Sequence, residues 1–204
     1  MNRRDALKNL GLSFGYIIAT PTILSMLQSC TTTPEEPWIP VFFSDKQAYV
    51  LENLVDLIIP KTKDVPGALD VNVPKFIDLY TSKTANDEQK ELYSTGLDAI
   101  MEELGISNEE ATPPKTEEPI AVKTEDFDAL LSKYLRVTKE QRLAYIQEEH
   151  LVFMTLLKIR DQTVWAFKTS EEIGKNVLAY DPIPGKQKGC VSLEEATGGK
   201  AWSL

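Results

Sequence analysis

The chain has 204 residues, of which 42% are hydrophobic and 26% charged, enough for one domain with a sizeable core. Its net charge is −9. Arg3, Arg4 and Lys8 against Asp5 put +2 on the first thirty residues and leave −11 on the remainder. That acidity argues against nucleic acid as a partner, because such binding relies on Lys and Arg neutralising phosphates.

The N-terminus is expected to be an export signal rather than part of the fold. Arg3 and Arg4 lie in NRRDALK, which resembles the twin-arginine consensus, with Ala6 where Phe is usual. A mildly apolar run follows from Leu10 to Leu27 and ends in Leu27-Gln28-Ser29-Cys30, which resembles a lipobox with a poor residue at Gln28. Residues 1–30 are therefore expected to be a twin-arginine and lipoprotein-type signal, with lipid on Cys30. An uncleaved signal anchor or a buried N-terminal helix is the alternative. Pro21 and the Thr/Pro/Glu-rich stretch after Cys30 weaken it. The expected location is the periplasm, at the membrane, after passage through the twin-arginine translocase. That route carries folded proteins, often with a partner attached.

Residues 31–43 read as a tether, although Trp38, Ile39, Val41, Phe42 and Phe43 already bring apolar surface. A single all-α domain is expected over 44–204. Ser44 with Gln47 is a capping-box pattern, and Val50, Leu51, Leu54, Val55 and Ile58 then share one helix face until Pro60. Pro66-Gly67 predicts a type II turn. Val73-Pro74 predicts a helix entry leading to Phe76, Ile77, Leu79 and Tyr80. Asn86 with Gln89 predicts the next cap, for a helix carrying Leu92, Tyr93, Leu97, Ile100, Met101 and Leu104, stopped by Gly105. Residues 106–123 are acidic and hold Pro113, Pro114 and Pro119, which predicts an exposed loop. Thr124 opens a helix through Phe127, Leu130, Leu131 and Tyr134. Thr138 with Gln141 caps the longest helix, predicted to run unbroken to about Phe167 with His150 in the middle of its seam. From Leu151 this helix is apolar on more than one side, so it is expected at the centre of the domain, with Trp165 and Phe167 in the core.

The stretch SEEIGKNVLAYDPIPGKQKGC, residues 170–190, is too interrupted by Gly174, Pro182, Pro184, Gly185 and Gly189 for regular structure. It nevertheless carries Ile173, Val177, Leu178, Tyr180 and Ile183. Such a segment docks on its own domain or on a second protein. Tyr180, Asp181, Pro182, Pro184, Gly185 and Cys190 are the candidate partner-interface residues, since prolines lower the ordering cost of a binding loop and Tyr is favoured at interfaces. With Cys30 lipidated, Cys190 is solitary, which makes it a candidate for an interchain disulfide.

No catalytic constellation is legible. The chain has one histidine, His150, and any Ser–His–Asp or Cys–His arrangement would have to use it. Its expected role is a buried or boundary side chain bonded to a neighbour. The Glu-x-x-His motif of di-iron bundles fails because Gln147 stands where Glu is needed. Two cysteines exclude a thiolate zinc site, and there is no CxxCH haem motif and no glycine-rich nucleotide fingerprint. The pairs Glu102-Glu103, Glu148-Glu149 and Glu171-Glu172 are adjacent residues that diverge on a helix, so they read as solvated faces.

Several stretches taken together resemble one family. They are Leu57-Ile58-Ile59-Pro60, Val65-Pro66-Gly67-Ala68 with Val73, Phe76-Ile77-Asp78, Ser170-Glu171 with Gly174, Tyr180-Asp181-Pro182-Ile183-Pro184-Gly185, Gly189-Cys190-Val191 and Lys200-Ala201-Trp202. From about Ser44 onward the chain resembles the small subunit (subunit 3, or gamma) of membrane-bound gluconate 2-dehydrogenase and related flavin-dependent sugar dehydrogenases. Trp165-Ala166-Phe167-Lys168 departs from the family's usual Gly-Tyr-Phe type segment, and the loop around Thr112 to Pro119 looks inserted. The resemblance implies a non-catalytic subunit that carries the export signal for, and stabilises, a large FAD-binding dehydrogenase subunit of the glucose–methanol–choline class. It also implies, where present, a cytochrome c subunit with haem c. The alternative is a stand-alone helical lipoprotein acting as a binding module or assembly factor.

Overall fold

The computed structural model describes residues 38–107, 122–181, 185 and 189–203. Arg3, Arg4, Cys30, Pro182, Pro184 and most of the acidic loop lie outside them. The chain divides into two units, 1–38 and 39–204, and the described helices all lie in the second. These are α1 (Asp45–Ile58), α2 (Val73–Thr84), α3 (Asp87–Glu103), α4 (Thr124–Leu135), α5 (Lys139–Gln147), α6 (Leu151–Thr169), a π-helical turn (Ile173–Val177) and a short α7 (Leu193–Thr197). The fold is all-α. Among the described residues the only extended pairing is an isolated parallel bridge between Ala179 and Trp202.

Three helices start where the capping patterns place them. The side chains of Ser44, Asn86 and Thr138 accept from the backbone N–H of Gln47, Gln89 and Gln141, and each glutamine side chain accepts in return from the cap residue's N–H. Pro60 ends α1 because the residue before a proline is held extended, as Ile59 is at φ −135° and ψ 80°. Gly105, at φ +71°, ends α3 in the left-handed conformation that glycine adopts without steric cost.

α6 is the hub. It packs against α1, α2, α3, α4, α5 and the π-helical turn. Its Val152, Phe153, Leu156 and Ile159 are buried among Val50, Leu51, Leu54 and Val55 of α1, Leu97, Ile100 and Met101 of α3, and Phe127 and Tyr134 of α4. Each fully buried aliphatic or aromatic side chain contributes roughly 1.5–3 kcal/mol, so this convergence on one helix makes α6 the element the others depend on.

Two expectations are corrected here. The predicted helix from Thr138 to Phe167 is two helices. Glu149 takes φ +49°, a left-handed value that breaks the ladder, and His150 becomes the N-cap of α6 rather than a mid-seam residue. The Pro66-Gly67 turn is not type II, because Gly67 is not among the positive-φ glycines. Glycine is needed there for proximity: a Cβ on Gly67 would lie 2.6 Å from the Lys61 backbone nitrogen. The loop that follows Pro60 folds back onto the end of α1, with Ala68 N–H donating to Ile59 O at 2.9 Å and Gly67 N–H to Asp70 Oδ2 at 2.8 Å.

Candidate partner interface

The site is built from α2, α6 and the segment that enters the domain. α2 has two unlike faces. Ile77, Asp78 and Thr81 are buried, while Phe76, Leu79 and Tyr80 point outward. Asp78 is 1% exposed, yet it is a carboxylate. Its burial is tolerable because it accepts three successive backbone N–H bonds, from Val41 at 2.7 Å, Phe42 at 2.9 Å and Phe43 at 3.0 Å. Residues 41–43 are thereby fastened to α2. Phe43 continues inward to an edge contact with Tyr93, whose hydroxyl donates to Gln162 of α6 at 2.7 Å. Burial pushes the Tyr93 phenol far above its ordinary range, so it remains a neutral donor.

The outward face of α2 meets α6 in an aromatic ridge. Trp165 lies 5.4 Å from Phe76 and 5.2 Å from Tyr80, and Phe76 stacks on Tyr80 at 5.8 Å. All three are about 40% exposed. Trp165 is thus a surface residue, not the core residue its helix pattern predicts; Phe167 is half-buried. Leu79, Met154 and Val164 extend the apolar face, and shallow hollows flank the ridge. One, of about 510 Å³, runs past Tyr80, Met154, Lys158 and Trp165. The other, of about 310 Å³, is lined by Phe76, Leu79, Ala166 and Ser170. Lys158 sits between this face and the core, its ammonium 3.9 Å from the Tyr93 ring centroid, and burial lowers its pKa. The arrangement offers contact area rather than chemistry. Among the described residues no three His, Cys, Asp or Glu side chains converge as a metal site.

The family model described as Gluconate 2-dehydrogenase subunit 3 matches residues 45–185, from α1 through the π-helical turn and beyond. The chain belongs to this family. No curated protein and no solved structure matches it. The gluconate 2-dehydrogenase subunit 3 assignment gives the ridge a context, because a chain named as one subunit of a dehydrogenase has other subunits to meet.

The interface residues expected from sequence are placed as follows. Tyr180, Asp181, Gly185 and Cys190 are all exposed, Tyr180 by 49%. Cys190 is a free, exposed thiol in the left-handed region at φ +55°. Pro182 and Pro184 lie outside the described residues. The start of the segment is anchored to its own domain: Ile173 is 1% exposed, and Ala179 exchanges backbone bonds with the C-terminal stretch, its N–H donating to Ala201 O at 2.9 Å and its O accepting from Ser203 N–H at 2.8 Å. Sequence reasoning missed the ridge. The spacing Phe76, Tyr80 is i, i+4 and was visible, but only the packing shows that Trp165 joins these two on the outside.

Proposed function

We propose that this chain is the non-catalytic small subunit of a periplasmic, flavin-dependent sugar or polyol dehydrogenase. It accompanies a large FAD-binding subunit through the twin-arginine translocase, stabilises it, and is held at the membrane by lipid on Cys30. FAD belongs to the large subunit, and haem c to a cytochrome c subunit where one is present.

The observation that carries the docking part of this reading is the ridge of Phe76, Tyr80 and Trp165. Trp and Tyr are the residues most enriched among energetically dominant interface positions. Here the three rings already pack against one another on two helices, so little conformational freedom remains to be lost on binding. Exposed Tyr180, Asp181, Gly185 and Cys190 are assigned to the same partner as a second contact. The alternative, a stand-alone helical lipoprotein acting as a binding module or assembly factor, would use the same face, so the identity of the captured partner separates the two.

Affinity capture of the full chain from its native membranes tests both parts. Capture should bring down a yellow protein with a flavin absorption band. Trp165→Ala should weaken that association by about thirtyfold, the effect of losing roughly 2 kcal/mol at an interface anchor. A colourless, solitary chain overturns the accessory-subunit reading. Capture of the flavoprotein at equal strength by Trp165→Ala overturns the placement on the ridge and leaves the reading intact.

A further inference from the structure

Between α3 and α6 lies a trough of about 450 Å³, a volume ordinary for a small-molecule site. Leu92, Leu151 and Met154 form its apolar sides, with Leu92 and Met154 open to solvent. Buried Tyr93 and Thr155 also line it. Their polar atoms are already spent. The Tyr93 hydroxyl donates to Gln162 at 2.7 Å and the Thr155 hydroxyl to Leu151 O at 2.9 Å.

Lys158 is the exception. Its ammonium lies 3.9 Å from the Tyr93 ring centroid, and among the described residues it has no hydrogen bond or ion pair. Glu149 also lines the trough, but it is exposed and does not pair with Lys158. Asp161, about one turn along α6, is bonded to Arg160 at 3.3 Å. The exposed lysines Lys61, Lys133 and Lys175 each hold a carboxylate. Lys158, half-buried, holds none, and burial lowers its pKa with no anion to restore it. The ring face attracts the ammonium, yet a carboxylate would add a charge-assisted hydrogen bond.

We infer that the trough binds a medium-chain aliphatic carboxylate, its head on Lys158 and its tail along Met154, Leu92 and Leu151. Lys158 stands seven residues beyond Leu151 on α6, about 10 Å along the axis. A saturated chain of about eight carbons covers that distance at roughly 1.25 Å per carbon, given a C–C bond near 1.52 Å. Charge fixes the direction, because Glu149 repels a carboxylate at the Leu151 end and Lys158 attracts it at the other. An acidic side chain of a docked protein could reach the same ammonium, but its stem is too short to fill the Leu151 end. The site is the chain's own and needs no second subunit.

Octanoate is the probe, added to the full chain and followed by NMR of its methionine methyl groups and lysine side chains. The Met154 methyl should shift saturably, while the fully buried Met101 stays unmoved. The Lys158 midpoint should move to higher pH in the bound state, since a neighbouring carboxylate favours the charged form. Octanol carries the tail alone and acetate the charge alone, and each should bind at least about tenfold more weakly than octanoate. From hexanoate to octanoate the affinity should rise about fourfold for each methylene buried. Lys158→Met, which keeps an apolar stem, should weaken octanoate about tenfold and spare octanol. The carboxylate site is refuted when octanoate gives no saturable Met154 shift, when octanol binds as tightly as octanoate, or when Lys158→Met holds octanoate at wild-type strength. The first two of these use the wild-type chain and stand whether or not the variant folds.

Discussion

Asp78 is the most exposed to a quantitative challenge. Asp78→Ala removes the acceptor for the N–H groups of Val41, Phe42 and Phe43. The Phe43 bond is buried, and its orphaned donor should cost about 1–3 kcal/mol. The other two are part-buried, so water can replace the carboxylate, and each should cost about 0.5–1 kcal/mol. The total is about 2–5 kcal/mol. Asp78→Asn is the sharper variant. Its oxygen can keep the Oδ1 bonds to Phe42 and Phe43, but its NH₂ must then face the Val41 N–H at the Oδ2 position, 2.7 Å away. One bond becomes a donor–donor contact, with a loss of about 1–2 kcal/mol. Urea unfolding followed by far-UV circular dichroism measures both, provided the slope with denaturant is unchanged. The order should be wild type, then Asn, then Ala. An alanine variant within about 0.5 kcal/mol of wild type would refute the reasoning, since that is the scatter of ordinary surface changes.

Two further variants probe the packing around the central helix. Gly96 of α3 faces Thr155 of α6, and a Cβ there would fall 2.0 Å from Thr155 Oγ1 and 3.0 Å from its Cβ and Cγ2. Gly96→Ala should therefore destabilise by about 1–3 kcal/mol, even though alanine favours a helix by about 1 kcal/mol. Adding Thr155→Ala should recover part of that loss in the same unfolding assay, and a stabilised Gly96→Ala single variant would mean that the helices do not approach so closely. Thr81 Oγ1 is buried without a hydrogen-bond partner among the described residues. Thr81→Val, which removes the hydroxyl at similar shape, should raise stability by about 1 kcal/mol, read as a higher urea midpoint.

What could be read from the sequence was what local chemistry decides. Ser44, Asn86 and Thr138 announce their helices because a capping box is complete within four residues. Pro60 and Gly105 stop theirs for equally local reasons. The break at Glu149 gave no such signal. Residues 148–150 are Glu-Glu-His, with neither Gly nor Pro, yet Glu149 takes the left-handed conformation. Gly67 was legible as special but not for the right reason, since its need is closeness to Lys61 rather than a positive φ. Trp165 was misplaced because a helix apolar on several sides does not say which side is left uncovered. Asp78 stood within a recognisable motif, Phe76-Ile77-Asp78, yet its three acceptor bonds reach back more than thirty residues and no spacing rule anticipates them.

Asp78 lies on α2 between Phe76 and Tyr80, pointing inward where they point outward. The chain arriving at residue 41 is thus fixed to the inner side of the same two turns that display the aromatic rings. Tension applied along the N-terminal approach and resisted by whatever grips Phe76 and Tyr80 is shared between α2, through Asp78, and α1, into which the chain runs at Asp45.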